Sequence, residues 1–96
     1  MSESAIQKII GNKLRKAGYL VSTNPAPPGW PDIRAFGAMR TILIEVKRKG
    51  KKPCELQEVM MEKFCNLGYE VYVMDNTKEI DDVINMSIND VLKLRK

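Results

Sequence analysis

Residues 29–47 read GWPDIRAFGAMRTILIEVK, and this stretch predicts a β-hairpin. Two runs rich in β-formers, Ile33 to Phe36 and Thr41 to Val46, flank a four-residue connection that begins at Gly37. Strand-like runs on either side of a short connection containing glycine are typical of an antiparallel hairpin.

The predicted register gathers charged side chains at one end of the hairpin. If Phe36 faces Thr41 across the connection, pairing outward in steps of two brings Asp32 opposite Glu45. Directly opposite residues share a sheet face and lie about 4.5–5.5 Å apart, and Lys47, two residues beyond Glu45, points to the same face. The other face takes the apolar residues Ile33, Ala35, Ile42, Ile44 and Val46.

Two carboxylates at this spacing repel each other unless a cation lies between them. Mg²⁺ prefers oxygen ligands and typically takes one or two carboxylates, with water and substrate phosphate in its other positions. Such an ion lowers the pKa of a bound water and stabilises charge on a phosphodiester, and Lys47 would add a point charge beside it. The alternative is an exposed ion pair between Glu45 and Lys47, which would contribute little.

The same residues resemble a known nuclease signature. Pro31-Asp32, followed after twelve residues by Glu45-Val46-Lys47, resembles the motif of the PD-(D/E)XK superfamily. Within it, the pattern Gly29-x-Pro31-Asp32 and the downstream Gln57 resemble the VRR-NUC domain, the virus-type replication-repair nuclease. The resemblance runs from Glu3 to about Val73, which is most of the chain.

This resemblance implies an α/β fold with an α-β-β-β-α-β core, a mixed sheet and, in this chain, a C-terminal helical segment. It implies that Asp32 and Glu45 bind Mg²⁺ or Mn²⁺ together with the backbone carbonyl of Val46, and that Lys47 is the catalytic lysine. Glu3 and Gln57 would be further site residues. The implied activity is divalent-metal-dependent hydrolysis of DNA, and stand-alone domains of this type resemble dimeric Holliday-junction resolvases.

Two of the implied site residues have simpler interpretations. Glu3 could merely complement the N-terminal dipole of a helix, whose start is either Ser4, in a capping box with Gln7, or Ser2. Gln57 could be an ordinary surface glutamine near the start of a second helix.

Composition restricts the functions open to the chain. Ninety-six residues predict a single domain, spanning 1–96. The absence of histidine excludes His-based triads and His-ligated zinc. The two cysteines, Cys54 and Cys65, are too few for a structural zinc site and are expected to be reduced thiols of a cytoplasmic protein. No apolar run approaches the roughly 20 residues of a membrane span, so we expect no membrane association.

The net charge of +4 is mild, but its distribution is uneven. Immediately after the predicted metal site the chain carries a basic run that consists of Arg48, Lys49, Lys51 and Lys52. Such a run is suited to binding the phosphates of DNA, although a solvated charged loop is the common alternative.

The flanking segments complete the predicted order α-β-β-β-α-β-α. A first helix ends at Ala17, and a strand at 19–23 leads into a stiff proline-rich loop, residues 24–29. Pro53 suits the first position of a second helix, whose inner stripe includes Leu56 and Val59 and which ends at Gly68. Residues 69–74 are apolar on both faces, which predicts a strand inside the sheet.

The remaining expectations concern partners. Trp30 beside the site could stack on an unpaired base or pack against the domain. Ser87 with Asp90 predicts a helix start near the C-terminus. The last segment has more apolar side chains than one small sheet needs to cover, which favours a homodimer acting on branched or four-way-junction DNA, unless the segment folds back over the sheet. These side chains are Ile84, Ile88, Val91, Leu92 and Leu94. A flap or nicking nuclease, or an inactive DNA-binding module, are the alternative functions.

Overall fold

The computed structural model describes residues 1–94 of the chain. The elements follow the order α1 (Glu3–Lys16), β1 (Leu20–Ser22), β2 (Ile33–Gly37), β3 (Arg40–Val46), α2 (Glu55–Asn66), β4 (Glu70–Met74), α3 (Glu79–Ile84) and α4 (Ile88–Leu94). The sheet has the strand order β1-β2-β3-β4; β1, β2 and β3 pair antiparallel, and β3 pairs parallel with β4. The predicted α/β fold with a mixed sheet is confirmed. A helix with the length and apolar character of a membrane span does not occur in residues 1–94.

The predicted hairpin register is confirmed, but its connection is shorter than predicted. Phe36 pairs with Thr41, and Gly37 then pairs with Arg40. Only two residues remain in the turn, and the second of them, Met39, has a positive φ of 62°. Two-residue hairpin turns favour such left-handed conformations because their twist matches that of the strands.

The predicted apolar face of the hairpin forms the core. Ile33, Ala35, Ile42, Ile44 and Val46 are all buried. They pack against Ile6, Ile10 and Leu14, which recur at helical spacing along one side of α1. Residues of α3 complete the cluster, so α1 and α3 cover one face of the sheet. The opposite face carries the charged end of the hairpin.

The prediction that the strand at 69–74 lies inside the sheet is wrong. In the described part of the chain β4 pairs with β3 alone and forms an edge of the sheet. Its inward residues are nevertheless covered, since Glu70 and Met74 are 4% and 0% exposed. Helices on both sides of an edge strand give it the same apolar pattern as an interior strand.

Helix α2 is less buried than its apolar stripe predicted. Pro53 lies outside the helix, which begins after Cys54 as its N-cap residue. None of its residues is fully buried, and Leu56 and Val59 are 49% and 43% exposed. Helix α2 therefore leaves part of its side of the sheet open.

The C-terminal segment forms two short helices. The predicted capping box at the start of α4 is confirmed: the Asp90 N–H donates to Ser87 Oγ at 3.1 Å, and the Ser87 N–H donates to Asp90 Oδ2 at 3.3 Å. The proposed apolar stripe is divided, because Val91 is buried and Ile84 packs against the core. Its other members, Ile88, Leu92 and Leu94, remain exposed.

Candidate active site

Glu45 lies near the carboxyl end of β3 and is 1% exposed. Its Oε2 accepts a hydrogen bond from Gln57 Nε2 at 2.8 Å and lies 3.6 Å from Lys47 Nζ. Its Oε1 is buried and has no hydrogen-bond partner within residues 1–94. A buried carboxyl oxygen without a partner is costly, so this atom marks the place where a proton or a cation would be stabilised.

The pKa of Glu45 is raised to about 7, mainly by burial and next by the neighbouring charge of Asp32, while Lys47 opposes the shift. The predicted repulsion between the two carboxylates is therefore present in the folded protein. A carboxyl group with this pKa is half protonated near neutral pH, and a bound divalent cation would compete with that proton.

Asp32 reaches Glu45 from the start of β2, as the hairpin register predicted. It directly precedes the pair formed by Ile33 and Ile44, so Asp32 and Glu45 occupy the next position of the ladder. There the Asp32 side chain takes the place of a backbone acceptor: its Oδ2 accepts a hydrogen bond from the Val46 N–H at 3.0 Å. This contact fixes the carboxylate at the end of the hairpin.

The interpretation of Gln57 as a plain surface residue is wrong. Gln57 is half-buried in the first turn of α2, and its side chain makes two hydrogen bonds. Oε1 accepts from the Cys54 N–H at 2.9 Å, and Nε2 donates to Glu45 Oε2 at 2.8 Å. The same amide therefore caps α2 and orients the buried carboxyl group.

Glu3 lies at the edge of the site. Ser2, not Ser4, is the N-cap residue of α1, and its Oγ accepts from the Ala5 N–H at 3.1 Å. Glu3 is consequently in the first turn, where its Oε2 accepts from the Arg48 N–H at 3.1 Å. The contact joins the start of α1 to the chain just beyond Lys47. In the first turn Glu3 also complements the N-terminal dipole of α1, as the simpler interpretation predicted.

The sequence did not indicate the part played by Arg34. Its guanidinium donates to Pro31 O at 2.8 Å, to Ser22 Oγ at 3.2 Å and to Asn24 O. These bonds hold both ends of the proline-rich loop against β2. Proline-rich loops carry carbonyl groups without strand partners, but no sequence pattern shows that Arg34 is the residue that reaches them.

The proline-rich loop forms one wall of a cleft of about 330 Å³ that opens onto Asp32 and Gln57. Trp30 belongs to this wall and also packs its ring edge-to-face with Phe64, with centroids 5.0 Å apart. Its indole remains 37% exposed. Trp30 therefore packs against α2 and still contributes to an accessible surface.

The basic run lies beside this site. Arg48, Lys49, Lys51 and Lys52 are all exposed, and within residues 1–94 their side chains make no ion pair. These cations are accessible to an external anion.

The donor set suits a hard divalent cation held by few protein ligands. No group of three or more His, Cys, Asp or Glu residues that could hold a metal occurs in the described range. Asp32 and Glu45 supply two carboxylates, one with an unpartnered buried oxygen. Mg²⁺ characteristically binds through one or two carboxylates and keeps its other positions for water and phosphate, so the residues present fit this ion.

The chain is similar to solved structures over most of its length. No family model matches the sequence, and no curated protein matches it. The structure is similar to a solved VRR_NUC domain with 27% sequence identity and a TM-score of 0.75, over 85% of this chain and 92% of that chain. A second solved structure, a VRR_NUC domain protein, is 18% identical with a TM-score of 0.76, over 94% and 90% of the two chains. The predicted resemblance to the VRR-NUC domain, a nuclease-type domain with a PD-(D/E)XK-like core, is confirmed.

Proposed function

We propose that this VRR_NUC-like chain is a Mg²⁺- or Mn²⁺-dependent endonuclease that hydrolyses phosphodiester bonds in DNA. The observation that carries the proposal is the buried carboxyl group of Glu45, which faces Asp32 with one oxygen unpartnered and a raised pKa. A structural carboxylate would be fully hydrogen-bonded or exposed. Buried, perturbed acidic pairs are typical of functional sites.

The site residues would have two kinds of role: some bind the metal ion, and the others position the reacting groups. Asp32, Glu45 and the backbone carbonyl of Val46 would hold the ion, which would supply Lewis-acid stabilisation of the phosphate and acidify a water. Lys47 Nζ, 3.6 Å from Glu45 Oε2, is close enough to orient an attacking water or to offset charge on the phosphate oxygens. Gln57 keeps the Glu45 carboxyl group in one orientation through its 2.8 Å hydrogen bond.

The basic run would bind the DNA backbone next to the reacting phosphate. Lys49, Lys51 and Lys52 follow the catalytic lysine directly and carry no ion pair within residues 1–94 that would have to be broken. Phosphate contacts of this kind supply affinity and orientation but no sequence preference.

We further propose a homodimer that acts on branched DNA such as a four-way junction. One chain of 96 residues offers one such site, and symmetric cutting of two strands needs two. Ile88 and Leu92 are exposed and lie four residues apart on α4, so they share a helix face that a second chain would cover. The free, exposed thiols of Cys54 and Cys65 agree with a reducing cellular compartment such as the cytoplasm.

Light scattering at micromolar concentration tests the dimer. A mass near 22 kDa, twice the 10.9 kDa of one chain, is expected. Leu92→Lys should restore the mass of one chain, whereas a monomeric wild-type protein would contradict the dimer without affecting the nuclease proposal.

Activity is tested by incubating the protein with Mg²⁺ or Mn²⁺ and labelled linear, flap and four-way-junction DNA, beside Lys47→Ala. We expect cleavage by the wild type, with preference for the junction, and loss of cleavage in the variant. Equal cleavage of every substrate would leave a general nuclease. DNA binding without cleavage under every condition would favour the alternative, an inactive binding module.

A further inference from the structure

The sheet face that carries Asp32 and Glu45 continues into an open aromatic groove. Along β2 this face presents Asp32, then Arg34, then Phe36. Phe36 pairs with Thr41 on β3, and Thr41 in turn precedes the β3–β4 pair of Ile42 with Glu70, which places Tyr69 alongside it. The groove, of about 340 Å³, is lined by Trp30, Arg34, Phe36, Thr41, Leu43, Phe64 and Tyr69.

The dimensions of the groove suit one flat ring. Phe36 lies on β2 and Tyr69 directly precedes β4, two strand positions away, so their backbones are about 9.5 Å apart at normal strand spacing. The small residue between them, Thr41, leaves a slot with the buried Leu43 in its floor. A planar ring between two aromatic side chains needs two contact distances of about 3.5–4.0 Å. Both aromatic walls are accessible, since Phe36 and Tyr69 are 48% and 43% exposed.

The groove also contains polar groups that are not used by the fold. Within residues 1–94 the Thr41 hydroxyl, the Tyr69 hydroxyl and the Trp30 indole N–H make no hydrogen bond. They are free to bind the polar edge of a ring that enters the slot. The guanidinium of Arg34 gives the wall of the groove a positive charge. A planar, hydrogen-bonding ligand attached to phosphate matches this combination.

The groove and the candidate active site are continuous. Trp30 and Arg34 line both the aromatic groove and the cleft that opens onto Asp32. Phe36 lies four residues beyond Asp32 along the strand, a distance of about 13 Å. A nucleic-acid strand with one phosphate at the carboxylates would therefore bring a base one or two nucleotides away to the groove.

We propose that the groove lined by Trp30, Phe36, Thr41 and Tyr69 binds an unpaired nucleobase of the DNA strand held at the candidate active site. The inference rests on the proposed nuclease function and specifies its substrate: DNA with at least one unstacked base close to the bond that is cut. Stacking of bases on aromatic side chains tolerates any sequence, because every base has a π-face. The groove would thus select for DNA structure and not for sequence.

The chain offers its own probe of the groove, because Trp30 is the single tryptophan. Its fluorescence is measured in EDTA, so that no cleavage occurs, while a twelve-residue oligothymidylate or an abasic oligonucleotide of the same length is added. We expect the oligothymidylate to quench Trp30 and the abasic strand, which has the same phosphates, to leave its emission unchanged. Equal quenching by the two strands, or none by either, would overturn the proposal.

Phe36→Ala should lower the affinity for the oligothymidylate, measured by this quenching, roughly five- to a hundredfold, which is the usual effect of removing a stacking ring. Leu20→Ala is the matched control, because Leu20 pairs with Phe36 on the same sheet face but lies outside the groove. Equal affinity in the Phe36→Ala and Leu20→Ala variants would contradict the proposal. So would a dimer mass in light scattering that falls to one chain in Phe36→Ala, because the groove would then be a protein interface.

Failure of this inference can be told from failure of the proposed function. Base-dependent quenching without any metal-dependent cleavage would retain the groove and remove the nuclease. Cleavage with equal quenching by oligothymidylate and abasic strands would support the nuclease function and contradict base binding in the groove.

Discussion

The side-chain amide of Gln57 donates a 2.8 Å hydrogen bond to Oε2 of Glu45. Gln57 lies on α2, which begins ten residues after Glu45 in the sequence. The other oxygen of Glu45 has no partner in the described chain. The site is therefore half satisfied: one oxygen is oriented by the protein, and the other is buried without a partner in residues 1–94.

The unpartnered carboxyl group predicts a specific pH dependence of stability. Burial and the neighbouring charge of Asp32 raise the pKa of Glu45 to about 7 from its ordinary value near 4.5. Because the folded state holds this proton more tightly than the unfolded state, Glu45 contributes stability that is fully present below about pH 4.5 and is lost as the pH rises through about 7. Urea unfolding of the metal-free protein beside Glu45→Gln isolates the effect.

In that comparison the wild type should lose stability relative to Glu45→Gln between about pH 4.5 and pH 7, with no further change at higher pH. A difference that is constant across this range would show that the carboxyl group has an ordinary pKa, and the desolvated site would then be wrong.

The basic run predicts the salt dependence of DNA binding. Each phosphate contact that is removed should lower the salt slope of duplex binding by about one unit. The triple variant Lys49→Ala, Lys51→Ala, Lys52→Ala should therefore bind all sequences more weakly with a slope smaller by about three units, while calorimetry shows unchanged Mn²⁺ binding. The double variant Arg15→Ala, Lys16→Ala, at the far end of α1 from the Glu3–Arg48 contact, is the control. An unaltered slope in the triple variant would make the run a solvated loop.

A buried ion pair predicts where the fold is most sensitive. Arg40 Nε and Nη2 donate to the two carboxyl oxygens of Glu70 at 2.9 and 2.7 Å, and Nη2 also donates to Val83 O at 2.9 Å. Arg40→Ala leaves the Glu70 charge buried and should cost about 3–5 kcal/mol of unfolding free energy. Asp81→Ala breaks the exposed pair with Lys13 and should cost at most about 1 kcal/mol. Equal costs in urea unfolding would contradict the assignment.

The hairpin was predictable because its information is local. The two-residue period of a strand fixes which side chains share a face, so the register that opposes Phe36 and Thr41 also brings Asp32 to Glu45. The length of the turn was less certain: the predicted four-residue connection and the observed two-residue turn give the same register, and only the extra pair of Gly37 with Arg40 distinguishes them.

The errors concern contacts between distant segments. An apolar pattern on both faces reports that a strand is covered, but it does not report whether another strand lies beside it, which is why β4 was placed inside the sheet. Long side chains meet distant partners only after folding. This applies to the ion pair of Arg40 with Glu70 and to the hydrogen bonds of Arg34 with the proline-rich loop. The role of Gln57 was accessible only through the family resemblance, since one glutamine in a helix carries no pattern.

We propose that Asp32 and Glu45 together bind the metal ion required for cleavage. The most direct test is the cleavage of labelled four-way-junction DNA in Mn²⁺ and in EDTA by the wild type, Asp32→Ala and Glu45→Ala. We expect the wild type to cleave only with metal, and each variant to remain folded, inactive and without measurable Mn²⁺ binding; losing the Asp32 contact to the Val46 N–H should cost only about 1 kcal/mol. Cleavage by the wild type in EDTA, or undiminished cleavage by both folded variants, would contradict the claim.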